Sequence, residues 1–157
     1  MPTSSRIRPL DAADIASLGA WLPDSEPWRT LGYPPANWPP YFNDVRADPA
    51  REVDVIEWQG GVGGVAVVRR GVLLGDYLEL LAIAPAARRQ GLGHALLAHL
   101  EARVFSRTRN FYLCVSDFNV DARAFYRDAG FREVGVLDDL VVAGRAEVLM
   151  RKTTGPH

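Results

Sequence analysis

The segment Leu80–Leu100, LLAIAPAARRQGLGHALLAHL, holds the residue types that most plainly imply chemistry. An apolar run stops at Pro85; Arg88, Arg89 and Gln90 follow; Gly91 and Gly93 stand two apart; the chain then passes straight into an apolar-periodic stretch. The first turn of a helix has unpaired N–H groups, and its dipole adds partial positive charge. Glycines there let an anion reach the backbone, and arginines at the rim add charged hydrogen bonds. The chemistry implied is anion binding. No lysine followed by serine or threonine is present, which excludes the nucleoside-triphosphate P-loop. A third glycine at dinucleotide-fold spacing is missing. A pyrophosphate cradle of another type remains, beside the plainer reading of a glycine turn that packs a helix onto a sheet.

Other residues could act near such a cradle. Glu79 is the lone charge in the apolar run Tyr77–Ala84, where burial would raise a carboxyl pKa toward a value useful to a general base. Its alternative is a place on a solvated edge or in a structural ion pair. Cys114, the only cysteine, sits in the apolar run Asn110–Ser116 with no histidine nearby in sequence and reads as packing. His94 is placed to approach a phosphate, and His99 reads as surface. Three histidines and one cysteine show no metal-ligand spacing, so no metal is expected.

The elements that must position these groups follow from periodicity. Arg6–Leu10 reads as a strand, and Asp11 as the cap of a helix over about Ala12–Leu22. The segment from Trp21 to Pro49 carries three of four tryptophans and many prolines, which deny it long regular elements. It reads as a packed loop or a pocket wall, with a short helix near Tyr41–Ala47. Val53–Trp58 and Val62–Arg70 form a hairpin pattern, and Tyr77–Ala84 suggests a central strand covered on both faces. A helix over Gly91–Phe105 has Leu92, Leu96, Leu100 and Val104 on one stripe. After the strand Asn110–Ser116, Asn119 caps a helix over Val120–Ala129, with Gly130 as its left-handed cap. Two closing strands, near Phe131–Leu137 and Arg145–Lys152, complete an α/β fold with a mixed central sheet flanked by helices.

The whole chain bounds its partners. Its 157 residues suit one domain, with a core over about residues 6–152. A net charge of -1 argues against a nucleic-acid binder. Of 18 basic residues all but Lys152 are arginine, so a single exposed arginine carries little weight. One cysteine, no apolar signal core and no membrane-length run point to a cytoplasmic protein without a membrane partner.

The run IAPAARRQGLGHALL resembles the acetyl-CoA signature of the GCN5-related N-acetyltransferase (GNAT) superfamily, with Arg88, Gly91 and Gly93 at its defining positions. SDFNVDARAFYRDAGFREVG resembles the family's second signature through Asn119, Tyr126, Gly130 and Phe131, and RIRPLDAADIASL resembles its usual first strand and helix. The likeness is strong over Tyr77–Gly135 and nearly absent over Leu22–Asp48. It implies the acyl-CoA N-acyltransferase fold. It implies transfer of an acetyl group from acetyl-CoA to a primary amine of a small molecule or peptide, by direct attack in a ternary complex. The backbone of Leu81, Ala82 and Ile83 would pair with the pantetheine arm, and the amides of Arg89, Gln90, Gly91, Leu92, Gly93 and His94 would take the pyrophosphate with Arg88 at the rim. Asn119 matches a position that touches the same arm, and Tyr126 matches both a cofactor contact and the family's general acid. Glu79 matches a strand glutamate thought to act as base through water. Cys114 stands where a related subgroup, the ribosomal-protein alanine acetyltransferases, has a catalytic glutamate, which puts a protein N-terminus as substrate in doubt. A homodimer is expected by family analogy only. The rival reading is a non-catalytic acyl-CoA-binding regulatory module; retention of Tyr126 and Glu79 favours the enzyme.

Overall fold

The computed structural model describes residues 5–157. One seven-stranded sheet forms its centre, in the order β1-β2-β3-β4-β5-β7-β6. The strands are β1 (Ile7–Pro9), β2 (Arg51–Trp58), β3 (Gly61–Val72), β4 (Gly75–Ile83), β5 (Asn110–Ser116), β6 (Arg132–Asp138) and β7 (Ala146–Thr153). Only β4 and β5 run parallel. The helices are α1 (Asp14–Gly19), α2 (Trp28–Leu31), α3 (Trp38–Ala47), α4 (Leu92–Phe105) and α5 (Val120–Asp128).

Two apolar layers sandwich the sheet. The stripe Leu92, Leu96, Leu100 and Val104 of α4 packs with Phe111, Leu113, Val115, Val148 and Met150 on one face. Leu18, Leu22, Trp38, Phe42 and Val45 pack with Val55, Val65, Val67, Leu80 and Ala82 on the other. The aromatic segment is therefore core: Trp38 and Phe42 are buried, with Trp28 edge-on to Trp38 at 5.3 Å. Its helix begins at Trp38, earlier than the expected Tyr41, because Pro39 and Pro40 fall in the first turn, where a missing N–H costs nothing. Helix α1 is shorter than Ala12–Leu22. The side chain of Asp14, not Asp11, accepts the Asp11 amide at 2.8 Å, and it also receives the Arg8 guanidinium.

The apolar character of β4 on both faces has a local cause. Val67 pairs with Leu80 and Val68 with Leu78, which leaves Glu79 as an extra residue. Such a β-bulge shifts the alternation of side chains. Leu78 thus joins the α4 layer while Leu80 and Ala82 join the α1/α3 layer.

Candidate active site

Beyond the bulge the sheet opens. The β4–β5 pairing covers only Asp76–Leu78 against Phe111–Leu113. The Ala84 amide donates to Gly63 O at 2.8 Å, so alternation turns the backbone of Ala82 toward β3 and that of Leu81 and Ile83 toward the unpaired edge. Of the three residues expected to offer free backbone groups, Leu81 and Ile83 face the open edge and Ala82 does not. Arg88 lies against this edge, its Nε donating to Ile83 O at 3.3 Å.

The glycines build the mouth of α4. Gly91 caps the helix with φ +79°, a left-handed conformation that glycine adopts at no steric cost. The first intrahelical bond runs from the Ala95 amide to Gly91 O, so the amides of Leu92, Gly93 and His94 precede the helical ladder. Gly93 has a different role: a Cβ there would stand 3.4 Å from the Phe125 ring, so glycine lets α5 approach α4 closely. The His94 ring packs on Phe125 at 4.7 Å. Arg89 and Gln90 are exposed in the turn, whereas the Leu92 side chain is buried in the core. These are the features an extended anionic cosubstrate needs. An open strand edge can take an added strand, and it ends at a free helix N-terminus.

A cleft of about 660 Å³ runs from this mouth across the sheet opening. Leu81, Ile83, Arg88, Gly93, Asn119 and Tyr126 line it, so both sequence signatures converge there. Asn119 caps α5, its side chain accepting the Ala122 amide at 3.4 Å. Tyr126 is held edge-on by Phe125 and Phe131, and its hydroxyl makes no hydrogen bond among the described residues. Burial pushes its phenol well above the ordinary tyrosine range, so it stays protonated at neutral pH.

Asp24, Glu26, Trp28 and Tyr33 wall the far side of the cleft, which gives the aromatic segment a second use besides packing. Glu79 lies between the two sides, and it is not alone. Arg51 Nε donates to its Oε1 at 3.0 Å and Tyr41 Oη to its Oε2 at 2.6 Å. No sequence neighbour announced either partner. Burial, together with the hydrogen bond to Glu79, pushes the Tyr41 phenol up. Cys114 is half-buried beside Tyr77, and desolvation pushes its thiol up, the state of a packing residue rather than a nucleophile.

One cleft residue escaped the reading of the sequence. Glu147, only 6% exposed, lines the cleft from β7 opposite Ser116 of β5. Ser116 Oγ donates to its Oε2 at 2.7 Å, and no cation pairs with it among the described residues. Burial raises its carboxyl above the usual range, Ser116 opposes the shift, and nearby Asp117 adds to it. The signal existed: Glu147 is a lone acid ahead of Val148–Met150, as Glu79 is in its own strand.

A family model, the acetyltransferase (GNAT) family, matches residues 17–131, and the chain belongs to that family. It is an acetyltransferase, and acetyl-CoA is its acyl donor. Solved structures with the same fold include the ribosomal-protein-alanine N-acetyltransferase from Brucella melitensis, 22% identical over 94% of this chain and 99% of that one, with a TM-score of 0.73. An acetyltransferase from Thermus thermophilus is 20% identical over 97% and 98%, with a TM-score of 0.78. An aminoglycoside 6'-N-acetyltransferase complexed with coenzyme A is 19% identical over 97% and 98%, with a TM-score of 0.77. At these identities the likeness establishes the fold. No helix among the described residues is long and apolar enough to cross a membrane.

Proposed function

We propose that the chain, acting as one unit, moves an acetyl group from acetyl-CoA to a primary amine of a small molecule or peptide, both bound at once in the cleft. The observation that carries this reading is the opening of the sheet after Leu78. It exposes the edge of β4 beside the α4 mouth and continues into a second, walled compartment. A donor and an acceptor can therefore meet from opposite sides without a covalent enzyme intermediate. Acetyl-CoA supplies an activated acyl carbon and a thiol leaving group.

The residues divide the remaining work. The Leu81 and Ile83 backbone takes the pantetheine arm as an added strand would, with Ala82 between them shaping the cleft floor. The amides from Arg89 to His94, with Arg88, hold the pyrophosphate. An edge amide of Leu81 is placed to stabilise charge on the reacting carbonyl oxygen. Tyr126, protonated and without a competing hydrogen bond, supplies the leaving sulfur with a proton. Asn119 holds the start of α5 and faces the same arm. In net terms the acceptor ammonium loses two protons, one ending on sulfur through Tyr126 and one in solvent. Glu79, engaged by Arg51 and Tyr41, fixes the junction of the two compartments.

The test is thiol release from acetyl-CoA with a panel of primary amines and amino-terminal peptides, alongside calorimetry of acetyl-CoA on wild type and Gly91→Glu. Wild type should bind and turn over at least one amine. Gly91→Glu should fold and lose binding, because a carboxylate would stand where the pyrophosphate enters. Normal binding by that variant refutes the placement of the cosubstrate.

A further inference from the structure

Two carboxylates carried by sheet strands, Glu79 of β4 and Glu147 of β7, line the cleft, and they are not equivalent. Glu79 has both oxygens engaged, one by the Arg51 guanidinium and one by the Tyr41 hydroxyl. An ammonium proton arriving there would have to displace a partner already in place. Glu147 has one oxygen held by Ser116, while the other has no hydrogen-bond partner among the described residues. It is buried yet lines the cleft, and no arginine, lysine or histidine lies within ion-pair distance of it among the described residues. A buried carboxylate without a cation is costly and demands a partner.

Position supports the same assignment. The layer α1–α3 packs on β2, β3 and β4. The buried side chains of that layer include none from β5 or β7. Cys114 and Ser116 of β5 and Glu147 of β7 line the cleft instead. Tyr77 of β4 lines the same cleft as Cys114, Glu147 and Glu79.

Resting on the proposed acetyl transfer, the structure assigns Glu147 as the group that anchors the acceptor's ammonium and takes its first proton, with Ser116 fixing the carboxylate. Glu79 becomes a positioning residue. The acceptor is thus an amine that arrives as a cation. One N–H bond breaks and one O–H bond forms at the free oxygen of Glu147. The amine lone pair is released for attack, and the proton passes to solvent when the product leaves. An ordinary alkyl ammonium, with a pKa of about 10, is otherwise no nucleophile at neutral pH. Sharing the cleft with Glu147 are Glu79 and Tyr77 of β4, Cys114 of β5, Asp121 and Tyr126 of α5 and Arg88 ahead of α4, which is not within ion-pair distance of it; Asp117, just beyond β5, pushes the Glu147 carboxyl up, and Leu137, its partner on β6, is apolar. Across the cleft stand Asp24, Glu26 and Arg29; Arg29 is paired with Glu26. None of these neutralises Glu147, so it keeps an unmet preference for a cation.

The experiment uses the full chain and three variants, Glu147→Gln, Glu147→Asp and Glu79→Gln. Calorimetry of acetyl-CoA and wild-type thiol release report on the reaction itself; the variants report on the assignment. With the panel amine that releases CoA fastest, Glu147→Gln should lower kcat about 10²- to 10³-fold at neutral pH. It should leave acetyl-CoA affinity unchanged and recover in part at high pH, where the free amine is abundant. Glu147→Asp should keep part of the rate, and Glu79→Gln should alter the acceptor KM with a pH profile parallel to wild type. Independently of any acceptor, infrared difference spectra should show a protonated-carboxyl band that titrates above the ordinary carboxylate range in wild type and is lost in Glu147→Gln. That variant should also melt higher than wild type at neutral pH, since it removes a buried charge, with the gap closing as pH falls. A flat pH effect in Glu147→Gln with a pH-dependent loss in Glu79→Gln overturns the assignment. So does an infrared spectrum without the band, or a melting point that falls.

Discussion

Replacing Tyr126 by Phe removes one oxygen from the cleft and nothing else. The ring is set edge-on between Phe125 at 5.2 Å and Phe131 at 5.8 Å, and phenylalanine retains both contacts. The hydroxyl has no partner among the described residues, so its removal orphans no donor or acceptor. The stability change should therefore stay within about 0.5 kcal/mol. Tyr126→Ala, by contrast, would empty a site 8% exposed in the core and cost about 3–5 kcal/mol. The catalytic effect should go the other way. A positioned general acid contributes roughly 10²- to 10⁴-fold, about 3–5 kcal/mol of barrier. Because burial pushes the Tyr126 phenol up, the wild-type rate should show no basic limb from this residue in the ordinary tyrosine range. The assay pairs thermal melting with steady-state thiol release and calorimetry of acetyl-CoA. The expected result is an unchanged melt, unchanged affinity and a kcat lowered across the whole pH range. A Phe variant that turns over at the wild-type rate would refute the acid role and leave Tyr126 as packing.

Other substitutions separate the remaining roles. Gly91→Ala meets no neighbour but forces a side chain into φ +79°, so it should cost about 1–2 kcal/mol in a denaturant melt while lowering acetyl-CoA affinity less than Gly91→Glu. Gly93→Val places branched methyls against Phe125 and should weaken both acetyl-CoA binding by calorimetry and turnover, because α5 carries Tyr126. Cys114→Ala should keep most activity in thiol-release assays, and the wild-type thiol, raised by desolvation, should label slowly at neutral pH. The bond from Arg8 holds the Asp14 carboxyl below its usual range. A depressed folded pKa gives stability that is present above the ordinary carboxylate range and lost as pH falls through the folded value. Asp14→Ala should thus destabilise by about 1–3 kcal/mol at neutral pH, and a difference that persists undiminished in acid would contradict the assignment.

The parts of this protein legible in its sequence are those that local backbone demands dictate. Gly91 was legible because a left-handed turn before a helix needs glycine, and the α4 stripe because a helix buries every third or fourth residue. Asn119 and Gly130 marked the ends of α5 for the same kind of reason, and the two spaced signatures carried the family. Tertiary structure decided the rest. The bulge at Glu79 depends on how β3 and β4 align, and it puts Leu78 and Leu80 on opposite faces of the sheet, which the order of residues along β4 does not specify. Arg51 and Tyr41 reach Glu79 across 28 and 38 residues, a distance no local pattern encodes. Glu147 enters the cleft only because β7 inserts between β5 and β6 and puts it opposite Ser116. Helix caps and turns are fixed by neighbours a few residues away. The charge environment of a carboxylate is fixed by whatever the long-range pairing of strands brings beside it, and that pairing is a property of the whole sheet.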